Sequence, residues 1–370
     1  MKKYSAILLT ILGLWIAGCS SDEPTITTPN IQKFVGTQSP GDVWEWVLNY
    51  DDETLTMNWD YGTFDDPTDD IKIEGDFELL PSGYYKVVIS KVTPATIEIP
   101  DDGSAFFYAL EIPGTALVVK PEGSIKGDII AMVAPGDCSA LAGSYNYIIT
   151  APGDPLKFNS ITDEAFGQVT MTGDGNSVTV SGTKSSLDCL GEVNCTVSGP
   201  INGIPTATCL GNGAIEIVED GKTSAIGQFT NAGVMMLDMG KGNGGVFGLK
   251  QSNVTIADFS SKSFNGIGYF PTNENEQNKP ISIEFEAGTG VASGAEFTNI
   301  ETGAVDSQEA VNLQIKEISN GLATGTIFFT DGHRDFAAAV LNSGGKLIMV
   351  LTSSTNEEGY PPFILVMTSK

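Results

Sequence analysis

Asp42-Val43-Trp44-Glu45-Trp46-Val47-Leu48-Asn49-Tyr50, the turn Asp51-Asp52-Glu53, and Thr54-Leu55-Thr56-Met57-Asn58-Trp59-Asp60-Tyr61 decide the fold class of this chain. Before the turn, Trp44, Trp46, Leu48 and Tyr50 fall on one side of an extended backbone. After it, Leu55, Met57, Trp59 and Tyr61 alternate with Thr54, Thr56, Asn58 and Asp60. A period of two is the spacing of a strand whose two faces meet different surroundings. The stretch therefore predicts an antiparallel hairpin with one aromatic face.

The same signal continues to the end of the 370 residues, punctuated by many of the 43 glycines. No window of twelve or more residues beyond the first twenty has a convincing helical period. Ser307 to Ile318 is the best helical candidate, and it reads equally well as a strand. The prediction is an all-β protein of antiparallel meanders joined by tight turns.

Three places share a strand–turn–strand–turn–strand layout. The first runs from Ser104 through a turn at Gly114 to Met132-Val133. The second runs from Ala225 through Gly233 to Leu249, and the third from Phe336 through Gly344 to Met367. The turn glycines stand roughly 115 residues apart, which suggests three divergent copies of one unit. Extra hairpins across Ser82-Gly83 and Asn320-Gly321 support that reading. Each copy is long enough for a small β-barrel or a β-sandwich, and successive up-and-down hairpins favour barrels. The expected division is 1–18, a leader; 19–35, a flexible Ser-, Thr-, Pro- and acid-rich tether; and β-domains over 36–137, 138–252 and 253–370. If the units are separate modules, Asp137 to Leu141 and Ser252 to Lys262 should be exposed connections, and a fragment starting near Phe259 should fold alone.

The first residues carry a different signal. Lys2 and Lys3 precede a short apolar run that ends in Leu14-Trp15-Ile16-Ala17-Gly18-Cys19, too short for a stable membrane span. The Ile-Ala-Gly-Cys pattern resembles the lipobox of bacterial lipoproteins. The resemblance covers only about the first twenty residues. It implies cleavage before Cys19 and lipid on the Cys19 thiol, with two or three acyl chains giving stable anchoring. Ser20, rather than Asp, follows the cysteine, which by the same resemblance implies the outer membrane. Ser21-Asp22-Glu23 looks like the export tether of some surface lipoproteins.

With Cys19 assigned to lipid, Cys138, Cys189, Cys195 and Cys209 remain, an even number in an exported chain. They are expected to form two disulfides, with three pairings open. A zinc site is the weaker reading, because no CxxC pair exists and the only histidine, His333, is far away in sequence.

Nineteen basic and 46 acidic residues give a formal charge of -27. Such a surface repels nucleic acid and anionic lipid heads, which excludes both as partners. Catalytic signals are poor. His333 lies in Asp331-Gly332-His333-Arg334, a turn-like stretch, and no GxSxG, HExxH or phosphate loop occurs. The glycine-rich Gly240 to Gly245 joins two strand signals and is read as a hairpin loop. Carboxylates are abundant enough to allow a glycosidase by residue type alone. Asp65, Asp66, Asp69 and Asp70 form the densest acidic loop, a weak calcium candidate without the ordered spacing of an EF-hand. Trp44, Trp46, Trp59 and Tyr61, with Tyr84 and Tyr85, could stack on sugar or line a ligand pocket, although rings at period two more often form core.

These readings converge on a lipid-anchored outer-membrane or cell-surface protein with a non-catalytic role in binding, adhesion or envelope structure, a protein or glycan as partner, and no cofactor. Two other classes stand behind it. One is an enzyme acting on extracellular polysaccharide through paired carboxylates, and the other a barrel carrying a small apolar ligand. A filled barrel interior favours interaction, an empty one the carrier.

Overall fold

The computed structural model describes residues 30–38, 42–60, 71–94, 106–122, 130–149, 166–173, 177–185, 206–211, 213–219, 222–238, 245–271, 276–330, 332–353 and 363–370. These form three closed eight-stranded antiparallel barrels, each an up-and-down meander. The first contains β1 (Ile31–Gln38), β2 (Asp42–Asn49), β3 (Thr54–Asp60), β4 (Ile71–Leu79), β5 (Tyr85–Thr93), β6 (Phe106–Ile112), β7 (Ala116–Glu122) and β8 (Ile130–Val133). It closes where Val35 of β1 pairs with Val133 of β8. The second contains β9 (Gly143–Ile149), β10 (Phe166–Gly173), β11 (Ser177–Ser185), β12 (Thr206–Gly211), β13 (Ala214–Glu219), β14 (Lys222–Phe229), β15 (Val234–Asp238) and β16 (Gly245–Lys250), closed by β16 on β9. The third contains β17 (Ser263–Pro271), β18 (Glu276–Phe285), β19 (Val291–Asn299), β20 (Ala304–Ser319), β21 (Leu322–Phe329), β22 (Gly332–Ser343), β23 (Lys346–Ser353) and β24 (Ile364–Ser369), closed by β24 on β17.

The opening hairpin forms as its alternation requires, with Trp44 opposite Trp59, Trp46 opposite Met57 and Leu48 opposite Leu55. Ser307 to Ile318 is strand, within β20. The first strand starts at Ile31, so the tether expected to reach residue 35 ends earlier. The physical reason is Phe34, which is fully buried inside the first barrel while its strand pairs on both sides.

Among the described residues, the inward-facing side chains of each barrel pack into a core of its own. Phe34, Trp46, Met57, Phe107 and Leu117 occupy the first. Tyr145, Met171, Ile215, Phe229 and Met235 occupy the second, and Phe264, Phe285, Leu313, Phe336 and Met349 the third.

The opposite faces of certain strands do not meet water either. On β22, Phe336, Ala338 and Val340 point inward, whereas Ala337, Ala339 and Leu341 point outward. On β7, Leu117 and Val119 point inward, and Ala116 and Val118 outward. The outward residues of all three barrels pack into one further core, which includes Leu110 and Val118 from the first, Met236 and Leu249 from the second, and Ile348 and Val366 from the third. Strands covered on both faces read as unbroken apolar runs, and Phe336 to Leu341, Leu347 to Leu351 and Phe363 to Met367 are such runs.

This shared core overturns the expectation of separable modules. The connections are held as well. Leu141 is buried, Gly136 donates its backbone N–H to Phe229 O, and Ser252 donates its hydroxyl to Val340 O. Across the seam between the first and third barrels, the buried Tyr84 hydroxyl donates to Gly266 O at 2.7 Å, and Asn265 Nδ2 donates to Ser82 O at 2.7 Å. Across the seam between the second and third, Asn146 Nδ2 donates to Asn320 O at 2.8 Å. Asn320 and Gly321 both have positive φ, 51° and 77°, as a two-residue type I′ hairpin turn needs. A Cβ on Gly321 would also lie 2.4 Å from Val340 O, so glycine is required twice over.

Candidate functional site: the two ends of the first barrel

β2 starts at one end of the first barrel with Asp42 and finishes at the other, just before Tyr50. Period two turns Trp44, Trp46, Leu48 and Tyr50 into the lumen, and each end thereby receives a different chemistry.

At the end where β2 begins, Trp44 and Trp59 stack with ring centroids 4.7 Å apart and planes 13° from parallel. Trp59 is partly exposed at the rim, whereas Trp44 and Trp46 are buried. Gly36 lies opposite Trp44 on β1 and adds no side chain beside the indole. Trp46 sits one step deeper and meets Phe107 edge-on at 5.6 Å. Among the described residues neither the Trp44 nor the Trp46 indole N–H has a hydrogen-bond acceptor. A buried donor left unmet costs about 1–3 kcal/mol, so two together are a notable departure from a satisfied core. In the second lumen the polar groups are paired: the Tyr145 hydroxyl donates to Leu141 O and that of Tyr147 to Thr183 O. Of the aromatic set, Trp44, Trp46 and Trp59 thus come together, mainly as core. Tyr61 lies outside the described residues. Tyr84 belongs to the seam between barrels, its ring edge-on to Phe297 at 5.6 Å.

At the other end, Glu111 points inward from β6, in register with Phe107 and Ala109. The Tyr50 hydroxyl donates to its carboxylate at 2.7 Å, and the Tyr85 hydroxyl and the Gly114 backbone also bond to it. Phe77 closes the cluster, edge-on to both Tyr50 and Tyr85. Burial pushes the Glu111 carboxyl above its ordinary range, against the lowering effect of the tyrosine bonds. Burial, followed by the Glu111 charge, raises both phenols far above theirs. Sequence reasoning missed Glu111, yet the signal was present: Phe107-Tyr108-Ala109-Leu110-Glu111 places an acid on the apolar register.

A paired-carboxylate cleft does not form here. Among the described residues Glu111 is the only carboxylate held above its ordinary range, and its partners are tyrosines rather than a second acid. His333 is exposed on β22, its ring against Phe328 at 5.9 Å. The adjacent Asp335 is committed to Thr326 Oγ1 at 2.8 Å and to Lys316 at 3.3 Å. No group of three or more His, Cys, Asp or Glu suited to a metal occurs among the described residues. Cys138 and Cys209 form a disulfide, tying the connection between the first two barrels to β12. Cys19, Cys189, Cys195, the loop Asp65, Asp66, Asp69 and Asp70, and Gly240 to Gly244 lie outside the described residues. Among the described residues no helix is long and apolar enough to cross a membrane.

No protein-family model and no curated protein sequence matches the chain. Among solved structures, two mutant forms of transferrin binding protein B from Haemophilus parasuis are similar, with TM-scores of 0.30 and 0.28 and identities of 10% and 12%. Each alignment covers 89% of this chain and 65% of the other, so the chain spans less than two thirds of those proteins. HpuA from Kingella denitrificans, solved in complex with human haemoglobin, aligns over 93% of this chain and 92% of its own, with TM-score 0.25 and 10% identity. Scores this low carry no role across from those proteins.

Proposed function

We propose that this chain is a lipid-anchored protein of the bacterial outer membrane that faces outward and binds a partner macromolecule without catalysing a reaction. The observation that supports the binding role is the apolar core packed inside each barrel by its described inward-facing side chains, which favours interaction over an apolar-ligand carrier. Recognition is then left to barrel ends and outer walls. Among the described residues Glu111 is bonded to tyrosines rather than to a second acid and His333 packs on Phe328, which speaks against hydrolysis by a carboxylate pair or a triad there. The lipobox-like Ile16-Ala17-Gly18-Cys19 and the residue Ser20 supply the anchoring and its membrane. The charge of -27 favours a partner whose contact surface is not anionic.

Two measurements on cells test the reading. Cys19→Ser should move the protein from the membrane pellet to the soluble fraction. Persistence in the pellet after a high-salt wash would defeat the anchor. A protease added to intact cells should digest the wild-type protein while periplasmic markers survive. Full protection would place it on the inner leaflet and end the surface role.

A further inference from the structure

We propose that the end of the first barrel that holds Glu111 receives an arginine side chain of a partner protein. This names the contact chemistry of the partner proposed above and rests on that reading. The turns that border this end are all described: 50–53 between β2 and β3, 80–84 between β4 and β5, 113–115 between β6 and β7, and 134–137 beyond β8. Three observations converge there. Leu79 continues the inward register of Ile73 and Phe77 past the barrel's edge, opposite Tyr85, and is 64% exposed. Tyr50, Tyr85 and Glu111 point into the lumen and are each partly exposed, so water reaches the carboxylate from this end. Among the described residues no lysine or arginine acts on Glu111, whose bonds go to Tyr50, Tyr85 and the Gly114 backbone.

The ligand class follows from what these groups can satisfy. A carboxylate offers about four acceptor sites, and Glu111 has three of them filled. The remaining site selects a donor, and a partly buried charge without a counter-ion selects a cationic one. The bordering turns contribute Asp51, Asp52, Glu53 and Asp137 and no base. Lys86, the next base along β5, is bonded to Glu301 across the seam. Ser20 to Asn30, which lead into β1, contain Asp22 and Glu23 and no lysine or arginine, so the cation must come from another molecule. Leu79 and the two phenol rings select a cation carried on an apolar stem, which a bare metal ion is not. Guanidinium fits better than ammonium, because it is more weakly hydrated and lies flat on aromatic rings. The arginine stem then packs on Leu79 while its head stacks on a phenol and donates to Glu111.

The mature chain carrying Cys19→Ser, labelled at its leucine methyls, is titrated by NMR with the peptide acetyl-Leu-Arg-Leu-amide. Salt of about 0.15 M screens the general attraction of an acidic surface for cations. The Leu79 signal is identified by its loss in Leu79→Ile. The expected result is a saturable shift of that signal. The same peptide with citrulline in place of arginine, which keeps the shape and loses the charge, should bind about tenfold more weakly or worse, as losing a charged hydrogen bond requires. Glu111→Gln should weaken the arginine peptide by a similar factor. Leu79→Ala, at an exposed position where folding is not at stake, should weaken it too, read from the peptide's own signals. A Leu79 signal that does not move, equal binding of the citrulline peptide, or undiminished binding by either variant, folded by circular dichroism, overturns the proposal. Protease digestion on cells is read separately: an exposed protein whose Leu79 signal stays still loses only this site, and a protected protein that binds the peptide loses only the surface role.

Discussion

At the scale of single residues, Glu111 shows how one misfit position sets a pH dependence. Its carboxyl is raised in the folded protein, so the folded state holds the proton more firmly than the unfolded chain. The charged carboxylate therefore weakens the fold at neutral pH, and the penalty shrinks as pH falls through the raised value toward the unfolded one, about 4.3. Glu111→Gln removes that titration. The urea midpoint of wild type should rise relative to that of the variant as the medium is acidified, and a difference that does not change with pH would refute the assignment. Cys138 makes a second case. The bridge to Cys209 closes a loop of 71 residues, worth on the order of 4 kcal/mol by chain entropy. Peptide mapping without reduction should recover Cys138 linked to Cys209, and, if all four thiols are paired, Cys189 linked to Cys195. A Cys138–Cys189 peptide would contradict the structure.

Single elements explain what could be read from the sequence and what could not. Strand alternation in Trp44 to Tyr61 identified the hairpin because one face is lumen and the other solvent. The repeats show in Ala116 to Val119, Val234 to Leu237 and Lys346 to Val350, strand-length apolar runs that fail to alternate. The reason is burial on both faces, and it was the missing sign that the barrels share a core. Aromatic residues at the first barrel's mouth were visible as a set, but the orphaned N–H groups depend on neighbours brought by pairing, which no spacing encodes. The turn at Asn320-Gly321 gives a test at this scale. Gly321→Ala must strain a positive-φ position and push against Val340 O, so unfolding should become easier by about 1–3 kcal/mol. A variant of unchanged stability in denaturant would show that the turn is not pressed against Val340 of its own barrel.

For the whole molecule the question is cooperativity. A fragment from Phe259 onward keeps all eight strands of the third barrel, yet it would expose Ala337, Ala339, Leu341, Ile348, Val350, Ile364 and Val366 on one wall. Contiguous apolar surface of that kind drives association. The fragment should bind a hydrophobic dye or aggregate, whereas the full body should melt in a single calorimetric transition. Three resolved transitions, or a soluble, dye-silent fragment, would restore the picture of independent modules.

The last strand has a consequence for how such a chain comes into being. β24 both seals the third barrel against β17 and lends Ile364 and Val366 to the central core. A polypeptide that emerges from its amino end delivers these residues after all the other described strands. Until they arrive, the walls meant to meet at the centre remain uncovered, however complete the earlier barrels are. A chain cut before β24 would leave the third barrel unsealed and the central core without Ile364 and Val366, an exposed apolar wall of the kind that chaperones and quality-control proteases recognise.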